Sequence, residues 1–500
     1  MASPCSPQNP GVNHVPYDIW RAVFGIYISD SAKSSIKFDP KAGPLLLGQI
    51  CSAWRRIAVE SPELWCNIEV TVDEDCHGFP DKKLLELALE RARRSPLRLA
   101  LCGERTAPPA SKTRPETVDM VDILLTNVSR AVHLEVDVRI IQSTLLDRPR
   151  GPQRFHKFIG PGIPCLKRLK ISGQPSSFPP YFYEHEQGPP INPIMAKLWT
   201  PAPKLRTLDL CGNIHFQNSS IMESFAPSLD HLSLLNMASP ISSEDFLSIL
   251  SATKQLTQCT VQQLIGELPV YGISQHPIQL QFLSHLDIRG SGEDSRDDEP
   301  SPPLTEVVKY IQAPSLTSLH LRHDRGWSQS SFSAFLQNSS CTILHLTLDI
   351  EDSDEIEKLE CLELLPSLKS LNMSSGNRYT RESDSPDFLT AIFADALKER
   401  DFSRRDAPFR ICPILDHFEF DYDALDDHAS MRTVFAKMIE ERLLQSTHFR
   451  SVCIREVKDG QSRYENYGYV SFEILRLLAL RRYGLKVELD PAPCWAVLLE

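Results

Sequence analysis

Residues 205–210 read Leu205-Arg206-Thr207-Leu208-Asp209-Leu210, and this spacing, Leu-x-x-Leu-x-Leu with other apolar residues standing in, returns along the chain. Further copies begin at Leu166, Leu229, Leu283, Leu316, Ile343, Leu368 and Leu415, the last running through Phe418 to Phe420. With a weak copy at Leu256, the first position advances from 166 to 368 in seven steps of 24 to 39 residues. The mean step is about 29, within the range of leucine-rich repeats. Residues two apart on a strand share a face, so the paired leucines of every copy point the same way. Apolar helical runs such as 245–250 and 332–336 fill the intervals. A strand that buries alternate leucines and returns through a helix has no core alone and gains one by stacking on its neighbours. The pattern predicts an α/β fold: a leucine-rich-repeat-like solenoid of alternating strands and helices with a mostly parallel sheet.

The residue between the paired leucines faces away from that core. Read down the chain it is Lys170, Asp209, Ser233, Asp287, His320, Thr347, Asn372 and Glu419. Neighbouring strands lie about 4.8 Å apart, so these side chains are predicted to form a polar ridge on the open sheet face. They are the candidate substrate-facing positions; the nearby loops are the alternative, and a merely solvated sheet face would show the same row. His231, His285, His320, His345 and His417 lie in or beside the same strands but read as different repeat positions, which gives no common register and no metal ladder.

Working outward, alternation of helix and strand starts near residue 82. Helical patterns over 83–94 and 118–128 are each followed by a short strand, 97–101 and 132–136. At the other end, helices over 431–444 and 472–483, the second closed by Gly484, lead to a strand at 485–489 that reads as the last layer or a cap. The solenoid spans 82–490 on this reading, with polar insertions near 172–190, 291–300 and 374–387 and a tail at 491–500. Two acidic stretches, 292–299 and 349–360, read as solvated loops.

Composition narrows the function. The chain has 500 residues, 41% hydrophobic and 24% charged, which fits a globular protein. No apolar run reaches 18 residues, so no membrane partner is expected. With 53 Lys and Arg against 65 Asp and Glu, the net charge of −12 gives no reason to expect a nucleic-acid backbone as main partner, although it is compatible with a local basic patch. The first residues lack a basic, apolar leader, so a reducing compartment, cytoplasmic and/or nuclear, is expected, with the 13 cysteines as thiols. No CxxC pair, nucleophile elbow, phosphate loop, dinucleotide fingerprint or HExxH is present. The sequence therefore gives no catalytic residues, metal or cofactor, and points to a protein that binds other proteins.

Before residue 82 the pattern differs. After a polar tail at 1–13, expected to be flexible, Val15-Pro16-Tyr17-Asp18-Ile19-Trp20 opens a helix, with proline suited to the first turn and Asp18 near its positive end. Ile19, Trp20, Val23, Phe24 and Tyr27 follow at helical spacing. A second helix is predicted from about Pro44 to Glu60, with Leu47, Ile50, Cys51, Trp54, Ile57 and Ala58 on one apolar stripe and Cys51 acting as a small hydrophobe. A turn bearing Trp65 follows. This small module spans 14–70.

These pieces resemble an F-box domain, in the form common in mushroom-type fungi. Val15-Pro16-Tyr17-Asp18-Ile19-Trp20 is similar to the family's Leu-Pro-x-Glu-Ile-Leu opening, the stretch 45–58 to its Val-Cys-x-x-Trp helix, and Pro62-Glu63-Leu64-Trp65-Cys66-Asn67-Ile68 to the segment that commonly follows. The chain departs from the pattern in Val15 for Leu, Asp18 for Glu and a longer link at 29–43. The resemblance implies a non-catalytic specificity subunit that docks on a Skp-family adaptor, joins a cullin complex and presents an unknown protein substrate through its repeats. Carried over by position, Val15, Pro16, Ile19, Phe24, Leu47, Ile50, Cys51 and Trp54 are the candidate adaptor-binding residues. A repeat scaffold with no ligase role is the alternative reading, and an enzyme with an unrecognised site a more distant one.

Overall fold

The computed structural model describes residues 15–30, 43–73, 77–103, 114–146, 151–159, 162–173, 198, 202–211, 228–235, 240–265, 277–290, 303–324, 326–350, 355–373, 391–401, 409–421, 432–455 and 472–490. The tails 1–13 and 491–500 read from the sequence lie outside these residues, as does nearly all of the three insertions.

The chain divides into two compact units, the first running to Leu229 and the second from Asp230, apart from a short exchange around residues 230–238. The first unit opens with three helices: α1 (Tyr17–Asp30), α2 (Gly43–Ile50) and α3 (Ser52–Glu60). A 3-10 turn, Pro62–Trp65, leads into the strand Asn67–Val72. That strand pairs in parallel with Leu97–Gly103, so the sheet begins within the span read as part of the helical module. Ala131–Asp137, Arg168–Ser172 and Thr207–Cys211 extend it in parallel. Ile68, Leu99, Leu134, Leu169 and Leu208 stand directly opposite one another, all buried, and Val70, Leu101, Val136, Ile171 and Leu210 form a second buried row. Helices Lys82–Ala92, Pro115–Thr126 and Gly151–Ile159 form the return layer. Asp81 starts the first of these by accepting the Leu84 amide at 2.9 Å, satisfying an otherwise unpaired donor.

The second unit repeats this plan. Its parallel strands are His231–Leu235, Gln258–Ile265, His285–Gly290, Ser318–Asp324, His345–Ile350, Ser370–Asn372, His417–Asp421, Ser451–Arg455 and Lys486–Asp490. Leu232, Cys259, Leu286, Leu319, Leu346, Leu371, Phe418, Val452 and Val487 make one buried row across them. Helices Ser243–Ala252, Gln329–Ser339, Glu355–Glu363, Ala391–Lys398, Arg432–Gln445 and Phe472–Ala479 lie behind the sheet. The molecule is therefore a mixed α/β, leucine-rich-repeat-like fold with a mostly parallel sheet. Gly484, at φ +94°, ends the last helical segment in the left-handed conformation that glycine adopts without a side-chain clash.

Two expectations change here. The predicted helix from Pro44 to Glu60 is two helices, broken at Cys51, whose backbone is extended. Its thiol is not core filling: the half-buried Sγ accepts the Trp54 amide at 3.4 Å and caps α3. Arg55 from α3 donates to the Gly48 carbonyl at 2.6 Å, taking up an acceptor near the end of α2. The acidic stretch 349–360 is also not all loop, because Glu355–Glu363 is helical.

Candidate partner-docking site

The helical module has an interior made by aromatic rings. Trp20, Phe24 and Trp54 meet pairwise, with centroids 4.9 Å apart for Trp20–Trp54, 4.8 Å for Phe24–Trp54 and 5.9 Å for Trp20–Phe24. Leu47, Ile57, Ala58, Leu64 and Trp65 are buried beside them. The Trp65 indole donates to the Ala58 carbonyl at 2.7 Å, and the Arg91 guanidinium lies 4.4 Å from the Trp65 ring centroid. Arg21 grips the Glu63 carboxylate with two donors, one at 2.8 Å, and this hydrogen bonding holds the Glu63 carboxyl below its ordinary range. This pair ties α1 to the 3-10 turn.

With that interior complete, α1 keeps an apolar face turned to solvent. Ile19, Val23 and Ile26 are 53%, 44% and 61% exposed. Steps of four and three place them on one side of a helix, and Pro16 extends the same spacing by one turn. Pro16 is exposed as well, and Tyr27 partly so. Ile50, the last residue of α2, is also 53% exposed. Full burial of one such side chain against a partner contributes about 1.5 to 3 kcal/mol. Such exposed apolar anchors are how a small interface concentrates its affinity.

The structure separates the eight candidate adaptor residues by environment. Pro16, Ile19 and Ile50 are exposed, Val15, Cys51 and Trp54 are half-buried, and Phe24 and Leu47 are buried. Phe24 and Trp54 belong to the aromatic interior, so they shape the module and do not offer a surface. Val23 and Tyr27 entered the sequence reading only as helix formers, and Ile26 did not enter it. Their helical spacing from Ile19 was the available signal, but periodicity alone does not say which side of a short helix is covered.

The second set of candidates falls in register within each unit. Lys170 and Asp209 stand opposite one another, next to Glu135, and Lys170 is 2.5 Å from the Glu135 carboxylate. In the second unit Ser233, Thr260, Asp287, His320, Thr347, Asn372 and Glu419 form one row. This row is less open than a solvated ridge, because Ser233, Thr347 and Glu419 are buried. Flanking side chains cover it: Arg455 and His417 both reach Glu419, and Arg322 lies 3.6 Å from Asp287. Burial raises the proton affinity of Asp287.

The histidines are arranged differently from the expectation. His231, His285, His345 and His417 occupy one register position, alternating with Gln258, Ser318, Ser370 and Ser451, and only His320 lies in the neighbouring row. The polar residues between the imidazoles are their partners: His231 Nδ1 to Gln258 at 3.0 Å, His285 Nδ1 to Ser318 at 3.0 Å and His417 Nδ1 to Ser451 at 2.8 Å. Ser318 also reaches His320 Nε2 at 2.8 Å, and His320 Nδ1 lies 2.6 Å from Thr347. Burial pulls the proton affinity of His285 down, and that of His320 to about 3, so His320 is neutral at neutral pH. Among the described residues no group of three or more His, Cys, Asp or Glu could hold a metal ion. The alternation makes hydrogen-bonded struts across the sheet.

Among the described residues no helix is long and apolar enough to cross a membrane. No family model matches the chain, and no curated protein matches it. Among solved structures it is similar to a crystal structure of a Rad7 and Elc1 complex in yeast, with 12% identity and a TM-score of 0.35 over 94% of this chain and 92% of that chain. That degree of likeness establishes neither a family nor a function.

Proposed function

We propose that this chain is a non-catalytic substrate-recruiting subunit of a cullin-type ubiquitin ligase, docking on a Skp-family adaptor through α1 and holding a protein substrate on its repeat units. The observation that carries the reading is the exposed row Pro16, Ile19, Val23 and Ile26 on a helix whose opposite side is already packed by Trp20, Phe24 and Trp54. Exposed apolar patches of this kind mark interaction sites. The row lies in the segment whose sequence resembles an F-box, and that resemblance gives the adaptor as occupant. No bond chemistry is assigned to the chain: holding a substrate near a charged ubiquitin carrier raises its local concentration and replaces a bimolecular encounter.

The test is co-purification of a tagged chain with a Skp-family adaptor and cullin from coexpressing cells. Association that Pro16→Ser with Ile19→Asn abolishes, in a chain that stays folded, supports the proposal. A folded chain that never brings down the adaptor leaves the repeat scaffold as the reading.

A further inference from the structure

The charge of this acidic protein is unevenly distributed. Residues 1–229 carry 27 Lys and Arg against 23 Asp and Glu, whereas residues 230–500 carry 26 against 42. Within the first unit, cations gather where the parallel strands begin. Arg98, His133 and Arg168 are direct neighbours on three adjacent strands. One residue earlier, the Lys167 amide donates to the Val132 carbonyl and the Arg206 amide to the Lys167 carbonyl, each at 2.8 Å, which sets Lys167 beside Arg206. Lys204 lies in the turn leading to the last strand. Arg98, Lys167, Arg168, Lys204 and Arg206 are all exposed.

Among the described residues most of this charge has no counter-charge. Arg168 pairs with Asp209 at 3.0 Å, but Arg98, Lys167, Lys204 and Arg206 have no carboxylate partner among the described residues. Arg206 donates to the Ser228 carbonyl, at 3.2 Å. Burial, followed by the repulsion of Arg168, lowers the proton affinity of the half-buried His133, leaving the positive charge to the arginines and lysines. At strand spacings of about 4.8 Å these groups lie within one Debye length of their neighbours, so their potentials add.

We propose that this strand-start edge of the first unit, built on Arg98, Lys167, Arg168, Lys204 and Arg206, is a docking surface for an aspartate- and glutamate-rich segment of a partner protein. Carboxylates alternating along an extended peptide fit a row of guanidinium and ammonium groups, and guanidinium forks donate to them bidentately. A single-stranded nucleic acid is the poorer occupant. Such binding uses aromatic platforms on which bases stack, and no Phe, Tyr or Trp stands among the described residues 93–98, 129–133, 163–168 or 202–207 of this edge. The inference rests on residues separate from the α1 face and does not depend on the adaptor reading.

The experiment uses the full chain and fluorescence anisotropy with three labelled probes at low salt: a 12-residue Glu- and Asp-rich peptide, its Gln and Asn counterpart, and a single-stranded RNA 12-mer. The acidic peptide is expected to bind, to weaken steadily as sodium chloride rises, and to bind at least tenfold more weakly to Arg98→Glu/Lys167→Glu/Arg206→Glu. The matching Gln triple variant serves as a milder change if the Glu triple does not keep its circular dichroism spectrum. Failure of the acidic peptide to bind, equal binding of the neutral peptide, unchanged affinity in a folded triple variant, or tighter binding of the RNA would each overturn the proposal.

Discussion

The rings of Phe24 and Trp54 meet edge-on, with centroids 4.8 Å apart and planes inclined at 62°. Five residues before Phe24 on the same helix, Ile19 is 53% exposed, whereas Phe24 is 1% exposed. The two sides of α1 thus have different work, and substitutions there should separate into two classes. Phe24→Ala or Trp54→Ala removes a ring from the interior and is expected to destabilise the module by about 3 to 5 kcal/mol. Ile19→Asn changes only an exposed position and should alter stability by no more than about 0.5 kcal/mol. Urea denaturation followed by tryptophan fluorescence reads both; equal losses would mean that the exposed row is structural.

Arg442 offers a second test. Its guanidinium is buried and donates to the carbonyls of Leu397 (3.0 and 2.7 Å), Cys412 (3.0 Å) and Ile411 (2.7 Å), while lying 4.5 Å from the Phe409 ring centroid. Burial pulls its proton affinity down to about 10, yet it remains charged at neutral pH. One side chain thus ties the helix Ala391–Lys398 to the segment before the next strand. Arg442→Met would strand several buried carbonyls and is expected to cost about 3 kcal/mol or more. Arg442→Lys should rescue little, because an ammonium cannot reproduce the planar fork. Thermal denaturation of both variants checks this, and a fully stable lysine variant would contradict the fork argument.

The sheet predicts a pH dependence of known sign. His320 is held neutral by burial, with Asp287, Arg322, His285 and His345 among the ionisable groups around it. Its folded proton affinity, near 3, is below the unfolded value of about 6.5, so the unfolded chain binds the extra proton first. The stabilisation is fully present above about pH 6.5 and is lost progressively as pH falls towards 3, at up to about 1.4 kcal/mol per pH unit for this one group. Denaturation midpoints between pH 7.5 and 5 should fall more steeply for the native chain than for His320→Asn. Parallel profiles would show that His320 already titrates in the folded state.

Much of the fold was legible because the repeat is local. Leu208 and Leu210, or Leu319 and Leu321, announce a strand by spacing alone, and the observed rows follow wherever that spacing is kept. Copies in which other residues carry the buried row were harder to see. Cys259 and Val452 occupy the leucine position, and the strand Ser451–Arg455 has no leucine at the Leu-x-x-Leu-x-Leu positions to announce it. The break at Cys51 left no periodic trace, since the apolar spacing Leu47, Ile50, Trp54 and Ile57 runs through it unbroken in the sequence, although Ile50 is exposed in the structure. The common register of His231, His285, His345 and His417 is set by the buried residue that follows each of them, and it has no signature in the local surroundings of any one histidine. For the docking site, the F-box-like motif located the module but not its outward side: Trp54 carries the resemblance as strongly as Ile19, and only packing tells the half-buried ring from the exposed side chain.

The most direct measurement is isothermal titration calorimetry of a purified Skp-family adaptor into the full chain, compared with Ile19→Asp/Val23→Asp. Losing two buried aliphatic contacts and placing charge on the row should weaken binding at least a hundredfold, with the far-ultraviolet circular dichroism and denaturation midpoint unchanged. Equal affinity for the native and double-variant chains, both folded, would contradict docking through this face of α1.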